Sequence, residues 1–276
     1  MTRTILAILW ACLLCSCGSK AKSQQMEDNQ EQTLILYYSQ TGATRQVAQE
    51  LKRQLGADIL SIEPVESYCS DYDSTIVRWR KEMADSVTPQ LKPLEVNWAK
   101  YSTIFLGFPI WGGTYALPIA SLVKDYDFAG KRIVTFATFG SGGITSATED
   151  LRAALPNSTV VQGYGVRNAR LSHAPVEIRR FLIEGGYVVG QIDKLAEYGE
   201  SAPLTDEEKE IFTQACGDYK FPLGEPQTVA SRTTPIGKDY RYEVNSTLPD
   251  GSASSATIYV TKPTDGIPEF TLVDRH

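Results

Sequence analysis

Between residues 33 and 187, short apolar runs alternate with amphipathic stretches. The runs that predict strands are residues 34–38, 58–62, 103–107, 132–138 and 159–164. The stretches with apolar residues at helical spacing are residues 46–55, 75–84, 115–123, 146–155 and 175–184. Strands that are apolar nearly throughout and are separated by helices are typical of a parallel sheet covered on both faces. The pattern therefore predicts an α/β fold with a five-stranded, doubly wound parallel sheet.

The pattern changes near residue 199. Thr205 followed by Glu208 is a capping-box signature and predicts the start of a helix. Further on, apolar and polar residues alternate around residues 240–244 and 257–261, as in antiparallel strands with one buried face. We therefore divide the globular part into residues 33–198, the parallel-sheet domain, and residues 199–276, a small α+β C-terminal region with one helix and about three strands. No motif in this second region indicates its role.

The first 32 residues carry a different signal. The apolar segment ILAILWACLLCSC is too short to span a bilayer as a stable helix, and it follows Arg3. Its end resembles a bacterial lipobox, with Cys17 as the lipidated residue. We expect residues 1–17 to be a lipoprotein signal peptide and residues 18–32 a polar tether. The protein would then be exported and anchored on the periplasmic face of a bacterial membrane; a soluble secreted or periplasmic form is the alternative.

Composition excludes several kinds of function. The formal net charge is −6 and no cluster of basic residues follows the N-terminus, so nucleic acid is not an expected partner. There are 2 histidines, His173 and His276, which leaves little material for a histidine-based metal site or a catalytic triad. We predict no metal site and no catalytic residue. Cys69 and Cys216 could pair in an oxidising compartment, although sequence alone does not show that they are close.

Ligands of doubly wound sheets bind at the carboxyl ends of the strands, so the loops after the first, third and fourth predicted strands matter most. The first loop leads into a helix, where backbone N–H groups and the helix dipole favour an anion. It has no P-loop lysine and no GxGxxG pattern, so a phosphate monoester fits better than a triphosphate or a dinucleotide. Simple helix capping is the alternative. The loop consists of Ser39, Gln40, Thr41, Gly42, Ala43 and Thr44.

The other two loops are rich in glycine and carry aromatic residues. Trp111 lies between a proline and two glycines, so its indole is well placed to stack on a planar ligand while the glycines allow close backbone approach. A core tryptophan and ordinary turns are the alternatives. The second loop contains Pro109, Ile110, Trp111, Gly112 and Gly113, and the third contains Thr138, Phe139, Gly140, Ser141, Gly142 and Gly143.

Taken together, these three loops resemble those of the flavodoxin family. SQTGATRQVA is similar to the flavodoxin phosphate-loop signature, while PIWGGT and FGSGG resemble the two loops that hold the flavin ring. The resemblance covers residues 33 to 187 and implies FMN as the cofactor. It also implies that the first loop binds the phosphate, that Trp111 stacks on the isoalloxazine and that the third loop contacts the ring. Ala43 departs from the pattern, because many flavodoxins have asparagine there.

The resemblance implies a bacterial exported flavodoxin-like lipoprotein that transfers electrons through FMN. An FMN-dependent NAD(P)H:quinone-type reductase and a non-redox binding lipoprotein remain alternatives, since one fold hosts many functions. The electron partner is a redox protein or a small acceptor, and the lipid bilayer is a further partner through the anchor. By the same resemblance the Gly112 carbonyl is a candidate acceptor for the reduced flavin.

Arg78, Trp79 and Arg80 are interpreted as a solvated helix face, with a ligand site as the alternative. Tyr68 and Tyr72, in the same connection, could reach a flavin pocket. His173 is interpreted as a loop or helix-start residue, with a catalytic role as the alternative.

Overall fold

The computed structural model describes residues 32–140, 142–217, 219, 223–247 and 251–275. The predicted signal peptide, Cys17 and all of the predicted tether except Gln32 lie outside these residues, as do Ser141 and His276. Within the described residues, no helix has the length and apolar character needed to cross a bilayer.

The predicted parallel sheet is confirmed. Its strands are β1 (Gln32–Tyr37), β2 (Asp58–Ser61), β3 (Tyr101–Trp111), β4 (Thr114–Tyr115), β5 (Arg132–Phe139) and β6 (Thr159–Arg167). The order is β2-β1-β3-β5-β6, and all of these neighbours pair in parallel. This is the doubly wound order in which the chain reverses direction across the sheet between β1 and β3, so the loops after these strands meet at a switch point.

Helices cover both faces of this sheet. They are α1 (Ala43–Leu55), α2 (Tyr72–Ala84), α3 (Leu117–Asp125), α4 (Thr145–Ala154) and α5 (Ala174–Glu184), with 3-10 helices at Trp98–Lys100 and Asn168–His173. Alternate residues of β1 point to opposite faces, so Ile35 packs with α1 and α5 while Leu36 packs with α3 and α4. Burial on both faces explains why these strands are apolar nearly throughout.

Two elements differ from the prediction near the switch point. β3 continues to Trp111, beyond the predicted end at residue 107, because its last residues pair with β4 in a tight hairpin. α2 begins at Tyr72, earlier than predicted, because the Asp71 side chain accepts a hydrogen bond from the Ser74 N–H and caps the helix. The predicted loop at residues 109–113 is therefore largely a β-hairpin.

The C-terminal region is an antiparallel sheet with one described helix. Its elements are β7 (Ala202–Pro203), α6 (Asp206–Cys216), β8 (Glu225–Thr234), β9 (Gly237–Thr247), β10 (Ala253–Pro263) and β11 (Glu269–Arg275). The strand order is β11-β10-β9-β8-β7. The capping box of Thr205 and Glu208 is confirmed. The estimate of about three strands was too low, because β8 is mostly polar and carries little apolar alternation.

The described residues form one compact unit, in which β11 contacts β6. Cys69 and Cys216 are both free thiols, the first exposed and the second buried, so the structure does not pair them. Burial raises the pKa of the Cys216 thiol to about 12.

Candidate cofactor site

Three strand ends meet at one edge of the parallel sheet. Tyr37 of β1 lies beside Gly107 of β3, and Pro109 of β3 lies beside Thr138 of β5. Because these strands are parallel neighbours, the three predicted loops open on the same edge. The structure thus brings together the loops that the sequence identified.

The loop after β1 leaves the start of α1 without a cap from its N-cap residue. That residue is Gly42, which has no side chain that could form a capping hydrogen bond. Its φ of +99° lies in the left-handed region, which glycine adopts without steric cost. The Ser39 Oγ accepts a hydrogen bond from the Arg45 N–H at 3.1 Å. Since the first N–H groups of a helix have no acceptor inside it, those of Ala43 and Thr44 face the loop. The half-buried Gly42 and Ala43 and the exposed Thr41 surround this position.

One of the predicted hydroxyls is turned into the protein. Thr44 Oγ1 and Thr138 Oγ1 lie 2.8 Å apart in a hydrogen bond, and both residues are buried. This bond joins the first turn of α1 to the end of β5. In the structure, Thr44 and Thr138 therefore hold the first and third loops together.

Gln40 has a similar connecting position. Its side-chain amide donates to the Cys69 carbonyl at 2.5 Å and to Thr75 Oγ1 at 2.5 Å. Thr75 is buried at the start of α2. The first loop is thereby attached to the long connection between β2 and β3.

The second loop is a two-residue hairpin. Trp111 pairs with Thr114, and the two residues between them, Gly112 and Gly113, have φ angles of +57° and +89°. Two successive positive φ angles are the signature of a type I′ turn, which glycine adopts without steric cost. The glycines predicted to allow ligand approach therefore have a structural role as well, because the hairpin turn itself requires them.

The Trp111 indole packs against two tyrosines. Its ring lies edge-on to Tyr68, with ring centroids 4.8 Å apart, and to Tyr38, with centroids 5.8 Å apart. The Arg78 guanidinium lies 3.9 Å from the centre of the Tyr68 ring and donates to Glu82. Burial raises the pKa of both tyrosines, so they stay neutral hydrogen-bonding groups at ordinary pH. Trp111 is half-buried and is supported from the inner side.

Trp79 lies at the candidate site, which the sequence analysis gave only as the alternative for this residue. A Cβ added to Gly112 would lie 2.4 Å from its indole ring, so the ring covers the hairpin turn. Its Nε1 is buried and has no hydrogen-bond partner within the described part of the chain. The interpretation as a solvated face is therefore confirmed for the exposed Arg80 but is wrong for Arg78, which packs on Tyr68, and for Trp79, which packs on Gly112. The local signal was weak, because an amphipathic helix inside a long connection does not reveal what it covers.

The third loop has one buried and several open positions. Phe139 is buried in the core, whereas Gly140 is exposed. The Gly140 carbonyl accepts a hydrogen bond from Arg167 Nε at 3.0 Å. Gly142 has a φ of +78°, and a Cβ added there would meet nothing within 4 Å. In its described residues, the third loop is therefore held at Gly140 by Arg167 and has open space around Gly142.

A cleft of about 580 Å³ lies between the second and third loops and the C-terminal strand. The loops contribute Ile110, Gly113 and Gly143 to its lining, and the C-terminal strand contributes Val273 and Asp274. This volume is within the range of about 300–1,000 Å³ that small-molecule sites occupy. Chemically, the strand ends combine an anion-binding helix start at the first loop with a cleft lined by the glycines of the second and third loops, which suits a planar ligand that carries a phosphate.

Comparison with known proteins agrees with this description. Residues 32–178 match the family model described as flavodoxin. No curated protein matches the chain. The C-terminal sheet lies outside the family match.

Several solved structures are similar to about half of the chain. A candidate flavoprotein from Bacteroides uniformis has 30% sequence identity and a TM-score of 0.49, over 54% of this chain and 97% of that chain. A candidate flavoprotein from Bacteroides eggerthii has 26% identity and a TM-score of 0.47, over 54% and 97% of the two chains. A flavoprotein from Lactobacillus acidophilus, solved in complex with FMN, has 20% identity and a TM-score of 0.45, over 55% and 98%.

Proposed function

This chain belongs to the flavodoxin family, and on that premise we propose that it is an FMN-dependent electron-transfer protein. FMN is the cofactor of that family, and the residues at the switch point fit both parts of the FMN molecule. The observation that carries the proposal is the presence of an anion-binding helix start and a cleft of about 580 Å³ at neighbouring strand ends.

The phosphate of FMN fits the first loop. The N-terminal end of α1 has unpaired N–H groups and the positive end of the helix dipole, and both favour a dianion. Gly42 leaves open space, since a Cβ added there would meet nothing within 4 Å. Ser39 and Thr41 can add hydroxyl donors. The side chains of Thr44 and Gln40 already form hydrogen bonds within the protein, so they contribute to phosphate binding by fixing the shape of the loop. Thr44 can also donate its backbone N–H to the phosphate.

The flavin ring fits the cleft between the second and third loops. Trp111 is not among the residues that line the cleft, but it lies between Ile110 and Gly113, which do. Tyr68 and Tyr38 hold its indole in position. Trp79 Nε1 is a buried donor without a described acceptor, which is a free energy cost unless a ligand group bonds it. Bound FMN would supply the redox chemistry, while these residues bind and orient it and exclude water.

A visible absorption spectrum tests the cofactor. We expect the protein from residue 32 onward, reconstituted with FMN, to show the peaks of bound flavin. Thr41→Ala and Trp111→Phe should weaken FMN binding. Thr233→Ala, an exposed threonine on β8, is the matched control and should bind FMN as the unaltered protein does. A protein that stays colourless after reconstitution would refute the proposal.

A reductase is the second candidate, because the small cleft beside the flavin-ring loops favours a small-molecule partner. The family's fold hosts carriers and enzymes alike, so the fold does not decide between them. Oxidation of NAD(P)H with a quinone as acceptor would identify the reductase. Absence of this activity in an FMN-loaded protein would favour the carrier.

We also propose that the protein is exported and anchored through a lipid on Cys17. The support is the sequence alone, in which a short apolar segment ends in LCSC followed by glycine and serine. Cys17→Ala should move the protein from the membrane fraction to the soluble fraction of a bacterial host. Membrane association that survives this substitution would contradict the anchor.

A further inference from the structure

The last strand of the C-terminal sheet lies against the flavin-ring loops. A Cβ added to Gly143 would be 2.9 Å from Leu272 Cδ1, 3.4 Å from Asp274 Oδ1 and 3.9 Å from the Val273 carbonyl oxygen. Leu272 also packs against the core of the parallel sheet. β11 is therefore in direct contact with the third loop, and a larger residue at position 143 would have to shift the Leu272 side chain.

Because of a β-bulge, the two faces of β11 contact different parts of the protein. In the pairing with β10, Phe270 lies opposite Val260 and Leu272 opposite Tyr259, so Thr271 is the extra residue. The bulge changes which side the following residues face. Phe270 and Val273 belong to the core of the C-terminal sheet, while Leu272 and Asp274 approach the third loop.

Two arginines attach β11 to the parallel sheet. Arg167, at the end of β6, donates to the Gly140 carbonyl at 3.0 Å and to the Phe270 carbonyl at 2.7 Å, and its guanidinium lies 4.1 Å from the centre of the Phe270 ring. Burial lowers the pKa of Arg167. The buried Arg170 forms ion pairs with Glu177 at 2.7 Å and with Glu269 at 2.5 Å. Planar guanidinium groups with several bonds each hold both ends of the contact in a defined geometry.

The strand also closes one side of the cleft. Val273, Asp274 and Arg275 line the cavity of about 580 Å³ together with Ile110 and Gly113. A molecule that approaches a ring bound between the two loops from the side of β11 enters this cavity. A second protein is too large to enter it, whereas a small planar molecule fits within it.

We propose that β11 is a wall of the flavin-ring site, that Asp274 holds a negative charge beside the bound ring, and that the redox partner is a small molecule that enters the cleft. This inference rests on the proposed function, since it requires FMN in the cleft. It gives the C-terminal region a role that the family match, which ends at residue 178, does not supply.

The first test uses charge. Asp274→Asn removes one negative charge with almost no change in shape, and Asp265→Asn removes the same charge from the exposed turn before β11, at the opposite end of the strand. Reduced FMN is anionic near neutral pH, so a nearby carboxylate disfavours it. We expect Asp274→Asn to raise the affinity for reduced relative to oxidised FMN about tenfold, a positive shift of about 30 mV for a two-electron couple. Asp265→Asn should leave the midpoint potential unchanged.

The second test uses size. Asp274→Trp should fill the cleft, with Asp265→Trp as its control. The protein is loaded with FMN, reduced with dithionite and mixed with p-benzoquinone; the reduced flavin gives up two electrons and two protons, and the quinone becomes the hydroquinone. We expect Asp274→Trp either to lose FMN or to react at least about tenfold more slowly, since the ring or the quinone meets the added side chain. Thermal unfolding verifies that each variant is folded.

The outcomes separate this inference from the proposed function. An unaltered protein that does not bind FMN refutes the proposed function. Suppose instead that the unaltered protein binds FMN, and that each residue 274 variant has the same midpoint potential and the same rate of reaction with quinone as its residue 265 control. That result would refute the role of β11 as a wall of the site and leave the proposed function intact. Different behaviour of the two positions in both tests supports the wall.

Discussion

The indole of Trp79 lies directly on Gly112, so close that a Cβ at Gly112 would be 2.4 Å from two of its ring carbons. Trp79 belongs to α2, and Gly112 belongs to the hairpin turn after β3. The contact joins the long connection after β2 to the loop that is proposed to hold the flavin ring. Any side chain at position 112 must displace this indole.

This contact predicts different effects for the two neighbouring glycines. Gly112 and Gly113 both have positive φ angles, but a Cβ at Gly113 would meet nothing within 4 Å. Gly113→Ala should therefore cost only the backbone strain, about 1 kcal/mol of the free energy of unfolding. Gly112→Ala should cost about 1–3 kcal/mol more, because it also clashes with the ring. Urea unfolding of the two variants without FMN measures the difference.

Removal of the indole supplies the control. In a Trp79→Ala background, Gly112→Ala and Gly113→Ala should have similar costs, because the clash is gone. An undiminished difference between the glycines would show that Trp79 is not its cause.

The start of α1 gives a second prediction. Gly42 and Gly56 lie at opposite ends of this helix with φ angles of +99° and +67°, and a Cβ at either would meet nothing within 4 Å. Alanine at each position should lower the free energy of unfolding by a similar amount, about 1 kcal/mol. Only Gly42→Ala should weaken FMN binding, by about tenfold or more, because only that end faces the phosphate. Titration of the flavin absorbance measures both affinities, and an equal loss of affinity in Gly56→Ala would argue against a phosphate at the N-terminal end.

The sequence predicted the sheet and the three loops because their signals are local. Apolar strands, amphipathic helices and a hydroxyl-rich helix start each depend on residues that are close in the chain. The strand order and the meeting of the loops then follow from general rules for parallel sheets.

The rest of the site depends on contacts between distant parts of the chain. Trp79 covers Gly112 from a helix in a long connection, and Leu272 meets Gly143 from the last strand. Neither residue carries a local motif. The hydrogen bond between Thr44 and Thr138 also changes the meaning of two predicted site residues, because a hydroxyl in a loop sequence does not reveal whether it faces the ligand or the core.

That hydrogen bond predicts a coupling between two loops. Thr44→Val should leave the buried Thr138 hydroxyl without its partner and lower the free energy of unfolding by about 1–3 kcal/mol. The double variant with Thr138→Val should recover part of this loss, since both hydroxyls are then absent. A double-mutant cycle by urea unfolding measures the coupling energy, and simple additivity would contradict the bond.

The effect on FMN distinguishes this pair from an ordinary buried pair. Thr135 and Thr148 form a similar buried contact of 3.0 Å between β5 and α4. Thr148→Val should also destabilise the protein, but it should leave FMN affinity within about twofold, because this pair lies away from the strand ends. Thr44→Val should lower FMN affinity more than Thr148→Val does.

The buried thiol of Cys216 predicts a pH dependence of stability. Its pKa is raised to about 12 by burial, from an ordinary value of 9.0. The folded state therefore keeps this proton when the unfolded state has lost it, so the contribution to stability is fully present below pH 9 and declines as the pH rises toward 12. The decline from this group is about 1.4 kcal/mol per pH unit in that window.

Comparison with Cys216→Ala isolates this effect from the titration of tyrosines. The variant should lose less stability between pH 9 and pH 11 than the unaltered protein, as measured by urea unfolding at each pH. The exposed Cys69 should react rapidly with a thiol reagent at pH 8, while the buried Cys216 should react only after unfolding. Equal rapid reaction of both thiols in the folded protein would contradict the burial of Cys216.

Arg167 predicts that the C-terminal sheet and the third loop respond together to one substitution. Its guanidinium bonds the Gly140 and Phe270 carbonyls, and lysine lacks the planar fork that can bond both. Arg167→Lys should lower the free energy of unfolding by about 1–3 kcal/mol and weaken FMN binding, because the third loop loses its anchor.

Arg232 provides the matched control for this substitution. It bonds Asp239 at 3.1 Å and lies 4.5 Å from the centre of the Tyr198 ring, so it also combines a polar bond with an aromatic contact, but its partners are on β9 and in the segment before β7. Arg232→Lys should destabilise the protein with no change in FMN affinity. Because both variants keep the positive charge, a loss of FMN affinity in Arg167→Lys alone can be assigned to the bonds that join β6, the third loop and β11. Equal FMN affinity in the two variants would mean that this attachment does not support the flavin-ring site.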